Sequence, residues 1–266
     1  MKDQQYFFPD VTLLITHYNR SLSLLTLLQS FKVLEISFGE IIVSDDGSTI
    51  DHLKEIKKSQ TEFGFRLIES PINKGLGNNI NKGQDVVKTS FTLYVQEDFV
   101  VKDEFPSVFT DAVEILKSHS EIDIIRFYAY FKFPYTQKFG KGFSEMKFKV
   151  MPWFSDHLKF YLYSDHPHLR RSDLFQKFGR YPENLKGDDT EFTMALSFLK
   201  NKGRGLLYDH FTKVFDQVNT SIEPSTMKRS DWKQKNNLFI LLLRRMYLPY
   251  RLLKNTLQYF KHKPKR

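Results

Sequence analysis

Two pairs of adjacent carboxylates each follow a short apolar run in the N-terminal part of the chain. Asp45 and Asp46 come at the end of the run EIIVS, and Glu97 and Asp98 follow FTLYVQ. A buried strand that stops at two acids delivers both to the edge of a sheet, where open α/β folds bind ligands. Carboxylate oxygens suit hard cations such as Mg²⁺ and Mn²⁺, which can in turn hold a diphosphate. The two pairs therefore predict a site for a metal ion and phosphate groups.

A third acidic pair lies much later in the chain. Asp188 and Asp189 stand at the start of a helical pattern predicted over residues 189–201. An acid in the first turn of a helix complements the helix dipole, which is a purely structural role. The same carboxylate can take a proton from a hydroxyl group and so act as a general base. The residues alone leave both roles open.

Strand and helix patterns alternate around the first two pairs. Four short runs predict strands: VTLLI (11–15), EIIVS (40–44), FRLIES (65–70) and FTLYVQ (91–96). Helices are predicted between them, the first beginning at Ser21. Such alternation implies a parallel sheet with right-handed crossovers. A further strand, GLLYD, follows the late helix at 205–209.

Polar motifs connect these elements in a recognisable order. Thr16-His17-Tyr18-Asn19-Arg20 follows the first strand, and Asn73-Lys74-Gly75 and Asn79-x-Asn81-x-Gly83 follow the third. Together with the acidic pairs, the motifs of residues 10–220 resemble the GT-A-fold, family 2 glycosyltransferases. The resemblance implies an α/β fold with a GT-A (Rossmann-like), mostly parallel central sheet flanked by helices. Residues 127–181 are crowded with Phe, Tyr, Lys and Pro and lack a clear helical period, and this pattern predicts short strands and loops that form an acceptor-side lid.

The resemblance assigns roles to individual residues. Contacts to the nucleotide sugar are implied for Thr16, Tyr18, Asn19, Arg20, Asp46, Lys74, Gly75 and Glu97. Asp98 matches the metal ligand of the family, and His210 falls where some relatives place a late metal or phosphate contact. Asp189 aligns with the catalytic base, and Asp188, in place of the usual Glu, remains an alternative base. Glu97 departs from the more frequent Asp, which lengthens the side chain and leaves the role of this carboxylate open.

The activity implied by the family is sugar transfer with inversion. The donor would be a nucleotide sugar, most simply a UDP-sugar, held with Mn²⁺ or Mg²⁺. The group transferred would be hexosyl or N-acetylhexosaminyl, and the acceptor a glycan or lipid-linked molecule of bacterial surface polysaccharide synthesis. Inverting transfer is a single displacement at the anomeric carbon, so one carboxylate is enough to deprotonate the acceptor hydroxyl.

Charge divides the chain into a body and a tail. The 266 residues carry a formal net charge of +9. From Lys228 onward twelve Lys and Arg residues face one acid, Asp231, so the tail carries +11 and the body −2. This distribution argues against a nucleic-acid enzyme, which spreads positive charge across its working face. The expected organisation is a GT-A domain over 1–227 and a basic, amphipathic C-terminal extension over 228–266.

The composition of the extension favours binding to a membrane surface. Residues 239–260 predict an amphipathic helix, or a pair of helices interrupted at Pro249, with Arg244, Arg245, Arg251 and Lys254 beside apolar residues. No signal peptide and no membrane span are predicted, and the absence of cysteine fits a reducing compartment. The expected location is the cytoplasm, peripheral on the inner face of the cytoplasmic membrane and bound to anionic lipid.

Two other functions fit parts of the pattern. A sugar-phosphate nucleotidyltransferase shares the broad fold, but the Gly-rich, Arg-containing first loop of that class is replaced here by HYNR. Pyrophosphate release from UTP and a sugar 1-phosphate would identify such an enzyme. A non-catalytic membrane-surface module with the same fold is the second alternative, and the retention of both Glu97-Asp98 and Asp188-Asp189 argues against it.

Overall fold

The chain was analysed as a computed structural model that describes residues 5–151, 153–219, 223 and 238–264, with the backbone alone for 238–246. The strands are β1 (Tyr6–His17), β2 (Ile36–Asp45), β3 (Arg66–Glu69), β4 (Phe91–Gln96), β5 (Phe99–Val101), β6 (Ile124–Arg126), β7 (Thr136–Gly140), β8 (Phe143–Met146), β9 (His168–Arg171), β10 (Gly205–Tyr208) and β11 (Phe215–Gln217). The helices are α1 (Ser21–Val33), α2 (Ile50–Phe63), α3 (Leu76–Asp85), α4 (Phe105–Ser118), α5 (Leu174–Phe178), α6 (Gly187–Lys200) and α7 (Leu238–Lys261).

A large central sheet contains nine of the strands in the described part of the chain, in the order β3-β2-β1-β4-β9-β6-β10-β8-β7. The first four run parallel, because each is followed by a helix that returns the chain to the same end of the sheet. The predicted parallel β-α alternation is confirmed for this half. The second half is mixed, since β9 runs antiparallel between β4 and β6 and arrives from a long irregular segment.

Alternate side chains of the central strands enter two separate cores. On β1, Leu13 and Ile15 pack with residues of α1, α2 and α4, whereas Leu14 packs with residues of α3 and α6. On β4, Leu93 and Tyr94 divide in the same way. The period of two along a strand thus buries both faces, which explains why these strands are continuous apolar runs. Because both faces are covered by helices, ligands have access chiefly to the edges of the sheet.

The predicted basic helix is present as α7, which is continuous through Pro249. The alternative of two separate helices is therefore wrong. In the described residues no helix combines the length and hydropathy needed to cross a bilayer. The proposed domain boundary between residues 227 and 228 lies outside the described residues and stays a prediction.

Candidate active site at the carboxyl edge of the sheet

The two early acidic pairs lie on either side of the end of β1. The strand register pairs His17 with Asp45 on β2 and Thr16 with Gln96 on β4. Because all three strands are parallel, Asp45-Asp46 and Glu97-Asp98 leave the sheet at the same carboxyl edge. This arrangement confirms the position expected from the sequence, and it is where ligands bind in open α/β folds.

Asp45 holds the loop that follows β2. Its Oδ2 accepts the backbone N–H groups of Gly47 at 3.0 Å and Ser48 at 2.9 Å. His17 Nε2 accepts the N–H of Arg20, so the proton of the neutral ring lies on Nδ1, which donates to Asp45 Oδ1 at 2.8 Å. Burial raises the pKa of Asp45, but the hydrogen bonds from His17 and Ser48 outweigh it and leave the pKa lowered. Asp45 is thus an ionised structural anchor.

Asp46 points instead toward the loop that precedes α3. Its carboxylate accepts the backbone N–H groups of Lys74 at 2.9 Å and Gly75 at 2.8 Å. Lys82 donates to Ser70 Oγ at 2.7 Å and to the Asp45 carbonyl, so its ammonium lies close to both acids. Burial raises the pKa of Asp46 and lowers the pKa of Lys82. The structure thereby joins the predicted residues Asp46, Lys74 and Gly75 in one cluster.

The loop after β1 is fixed by its own polar residues. Asn19 donates its backbone N–H to Ser48 Oγ and accepts the N–H of Thr49, both at 2.8 Å, and it has a positive φ of 52°. Thr16 Oγ1 lies 3.0 Å from the Tyr94 hydroxyl and is buried, whereas Tyr18 is half-buried. The hydrogen bonds of Thr16 and Asn19 therefore fix the loop after β1 at the edge of the sheet. Their predicted contacts to a nucleotide stay predictions.

The asparagines and second glycine of the N-x-G motifs serve α3 packing. Asn79 Oδ1 accepts a hydrogen bond from Ser44 Oγ at 2.8 Å, and Asn81 bonds the backbone of Tyr181. At Gly83 a Cβ would lie 2.5 Å from Leu14 Cδ1, so only glycine lets α3 approach the sheet this closely. The absence of a side chain at Gly83 therefore serves the packing of α3 on the sheet.

Glu97 and Asp98 share a single buried cation. Arg20 Nη1 lies 3.3 Å from Asp98 Oδ2 and 3.9 Å from Glu97 Oε1, and all three side chains are buried. Burial, followed by the charge of Asp98, raises the pKa of Glu97 to about 8, against the opposing effect of Arg20. Glu97 is thus protonated at neutral pH. One guanidinium and one proton together balance the two carboxyl groups.

The oxygens of Asp98 are suited to accept a divalent cation. Oδ2 accepts a hydrogen bond from Gln217 Nε2 at 2.8 Å, whereas Oδ1 is buried and has no hydrogen-bond partner in the described structure. The described residues hold no group of three or more His, Cys, Asp or Glu side chains placed around one ion. An ion here would therefore take most of its ligands from phosphate and water, as Mg²⁺ commonly does.

Three residues of the late chain complete this site and were not predicted. β11 pairs with β5 immediately after Asp98 and brings Gln217 to it; Gln217 Oε1 also accepts the Tyr130 hydroxyl at 2.8 Å. Asn219 Oδ1 and the Glu223 carbonyl accept hydrogen bonds from Arg20 Nη2. The Glu223 carboxylate accepts the first N–H groups of α1, at Leu22 and Ser23. No sequence motif marks these residues, which reach the site only through contacts between distant parts of the chain.

His210 lies before this segment. Its ring centroid is 6.0 Å from that of Tyr208, and it directly precedes a 3₁₀ turn, Phe211–Lys213. The antiparallel pairing of β11 places the Gln217 side chain against the Asp98 carboxylate, and the Val218 N–H donates to the Asp98 carbonyl at 2.7 Å. The metal contact expected of His210 stays a prediction.

The third acidic pair occupies the first turn of α6. Asp188 and Asp189 are exposed there, and Glu191 in the next turn accepts hydrogen bonds from Ser164 Oγ at 2.6 Å and the Asp165 N–H at 3.1 Å. The beginning of α6 packs on the beginning of α3, where a Cβ at Gly77 would lie 3.2 Å from a methyl group of Thr190. Both carboxylates are thus accessible near the loop that carries Lys74 and Gly75.

Comparisons with known proteins agree with this geometry. The family described as Glycosyl transferase family 2 matches residues 12–179, which include Asp46 and Asp98 and end before Asp188. Poly-beta-1,6-N-acetyl-D-glucosamine synthase of Staphylococcus epidermidis is 24% identical over 106 residues, or 40% of this chain and 26% of that protein. The chain thus spans about a quarter of the length of this curated relative.

Solved structures share the fold. The S. aureus TarS 1-349 structure in complex with UDP-GlcNAc superposes with a TM-score of 0.57 at 18% identity, over 84% of this chain and 62% of that one. The complex with UDP gives a TM-score of 0.57 at 19% identity, over 79% and 60%. The family match covers more than half of the sequence and falls on the half-sheet that presents the early acidic pairs. The chain belongs to glycosyl transferase family 2 and is a glycosyltransferase with a GT-A fold.

Proposed function

We propose that this glycosyltransferase moves a hexosyl or N-acetylhexosaminyl group from a UDP-sugar to a hydroxyl acceptor, with inversion. The observation that carries the proposal is the gathering of chemically different carboxylates at one sheet edge. Asp46 lies among backbone amides and lysines, one buried oxygen of Asp98 has no partner among the described residues, and Asp189 is exposed at a helix start. The environment of Asp46 suits a contact to the uracil base, and that of Asp98 suits a cation ligand. The environment of Asp189 suits a proton acceptor.

The donor would bind between the end of β2 and the end of β4. A carboxylate at Asp46 can accept a hydrogen bond from the imide N–H of uracil. Lys74 and Lys82 stand beside Asp46 and can offset the charge of a diphosphate. TarS has been solved with UDP and with UDP-GlcNAc, which supports a uridine donor here. The named activity of the S. epidermidis relative supports an N-acetylhexosaminyl group.

Asp98 would hold Mn²⁺ or Mg²⁺ through Oδ1, with Glu97 beside it. Such an ion, when bound, stabilises the charge that develops on the departing diphosphate. Without the ion, Arg20 lies against Asp98 and limits the repulsion between Glu97 and Asp98. It is also near enough to the same carboxylates to compete with a cation.

Asp189 would take the proton of the acceptor hydroxyl as that oxygen attacks the anomeric carbon. Its exposure at the start of α6 leaves it accessible to an acceptor. Glu191, held by Ser164 and Asp165, fixes the helix below it. Asp188 is the alternative base because it occupies the same turn.

The acceptor would be a glycan or lipid-linked molecule at the inner face of the cytoplasmic membrane, as in bacterial surface polysaccharide synthesis. The support is compositional: the last 39 residues carry the excess positive charge of the chain. No residue of the acidic sites bears on this location.

The test is a panel of UDP-sugars assayed for UDP release with Mn²⁺, comparing wild type with Asp189→Asn. We expect release with one donor class, and about a 10²–10⁴-fold loss in the variant with donor binding retained. Asp188→Asn is the matched control from the same turn. If Asp188→Asn loses activity while Asp189→Asn keeps it, the base is Asp188. If neither variant loses activity, the proposed chemistry at α6 is wrong.

A further inference from the structure

The final helix has an inner face that is firmly docked. Leu252 and Tyr259 pack against the core formed with α6, and Asn255 between them is buried. The Tyr259 ring lies 5.0 Å from that of Phe148, with the Lys200 ammonium 4.2 Å from its centroid. Arg251, expected from the sequence to bind lipid, instead donates to the Tyr161 hydroxyl at 2.8 Å. The orientation of α7 on the domain is therefore fixed by specific contacts.

The outer face of α7 carries a stripe of large apolar side chains. Its members are each between 52% and 62% exposed: Tyr250, Leu253, Leu257 and Phe260. Their spacing of three, four and three residues places them on one side of a helix. Docking of the inner face holds this outer stripe away from the protein. A contiguous exposed row of this kind marks an interaction surface.

A loop beside α7 exposes further apolar groups. The chain between Phe148 and His157 is held to the helix at both ends, by the Phe148–Tyr259 contact and by the 3₁₀ turn His157–Phe160, which packs on α7. Within it Met151 and Trp153 are exposed, Trp153 by 67%. The loop is thus attached to α7 at both ends and exposes apolar side chains between these two attachments.

The charges around the stripe select its partner. Lys254 and Lys261 directly follow Leu253 and Phe260, Lys263 is also exposed, and residues 247–264 contain no acid. A second copy of the chain would bring like charges together, whereas an anionic bilayer would be attracted. Tryptophan and tyrosine are the side chains enriched at the interface between lipid and water.

We propose that the outer stripe of α7 and the Trp153 loop form one surface that binds anionic lipid bilayers. The inference rests on the membrane setting of the proposed function and is independent of its chemistry. The apolar stripe and Trp153 enter the interfacial layer, and the lysines contact lipid headgroups. The inner face, including Arg251, stays on the protein.

The experiment uses the full chain and vesicles with and without about a third of anionic lipid. Trp153 and Trp232 are the two tryptophans, so Trp232→Phe makes Trp153 the fluorescent reporter. We expect sedimentation with anionic vesicles and a blue shift of Trp153 emission. Leu253→Ser with Phe260→Ser should weaken binding at least tenfold. The matched control, Val33→Ser with Phe7→Ser, removes side chains that are 68% and 62% exposed elsewhere and should bind as wild type.

Three results would overturn the inference: no binding to anionic vesicles at low salt, equal binding by the stripe variant, or binding without a change in Trp153 emission. Dimerisation that the stripe variant abolishes, in a chain that ignores vesicles, would assign the stripe to a second copy. UDP-sugar binding measured in parallel should be unchanged in every variant. Retained donor binding with failed vesicle binding would refute this surface while leaving the proposed chemistry standing.

Discussion

Glu97→Gln tests the electrostatics of the acidic pair directly. In the folded chain burial and Asp98 raise the pKa of Glu97 from its ordinary 4.5 to about 8. Folding therefore takes up a proton between these values. The stabilisation associated with that proton is complete below pH 4.5 and is lost as the pH rises through 8. Glutamine keeps the size of the side chain and cannot ionise, so the variant should lack this loss.

The magnitude follows from the two pKa values. Each pH unit between them changes the free energy of unfolding by roughly 1.4 kcal/mol, and the whole interval by at most ~5 kcal/mol. The difference between Glu97→Gln and wild type should thus be near zero at pH 4.5 and grow steadily to pH 8. A change of this size is a large share of the free energy of unfolding of most domains, which is roughly 5–15 kcal/mol.

Urea unfolding at a series of pH values, with a metal chelator present, measures this difference by linear extrapolation. Glu62→Gln, which removes an exposed carboxylate paired with Lys32, controls for the substitution itself. Adding Mn²⁺ and UDP to the wild type should flatten the pH dependence, since a nearby cation favours ionised Glu97. If wild type and Glu97→Gln lose stability in parallel from pH 5 to 8, the described burial of Glu97 beside Asp98 is wrong.

Two further predictions concern the cation ligand and the packing of α3. Asp98→Ala should abolish the rise in melting temperature that Mn²⁺ and UDP produce. In the wild type, a ligand concentration a hundredfold above Kd should stabilise the fold by about 3 kcal/mol. An unchanged metal-dependent shift would remove Asp98 from the site. Gly83→Ala places a Cβ 2.5 Å from Leu14 Cδ1 and should destabilise the fold by about 1–3 kcal/mol in urea unfolding. Gly187→Ala, whose Cβ would lie 3.8 Å from Leu76, is the control and should have little effect; equal stability of Gly83→Ala would contradict the packing described.

The half-sheet that carries the early acids was predictable from local sequence. Its strands are buried on both faces, so they appear as uninterrupted apolar runs, and the carboxylates mark where burial stops. Helix α4 was not predicted: Glu104, which precedes it, makes no side-chain cap, and only three residues separate its apolar positions from those of β5. The mostly parallel sheet was predicted, but the antiparallel β9 was not, because its position depends on pairing with strands far away in the chain.

The same distinction applies to the site. Asp46 and Asp98 could be identified because each lies in a local motif, whereas Gln217 and Glu223 reach the site only through tertiary pairing. The hydrogen-bond partners of a predicted residue could not be predicted from the local sequence either. Asp45 and Asp46 are adjacent and chemically alike, yet they bind different loops. Asp45 accepts a hydrogen bond from the loop after β2, and Asp46 accepts one from Lys74 in the loop before α3.

The hydrogen bonds of Arg20 have a consequence for how the enzyme is made. Its partners Asn219 and Glu223 lie 199 and 203 residues further along the chain. During synthesis the parallel half-sheet can form while these residues are still untranslated, because contacts close in sequence form first. The nascent sheet would then carry its acidic edge with Arg20 only partly bonded and the start of α1 uncapped. The proposed donor site would thus be among the last parts of the enzyme to be completed, after the scaffold that supports it.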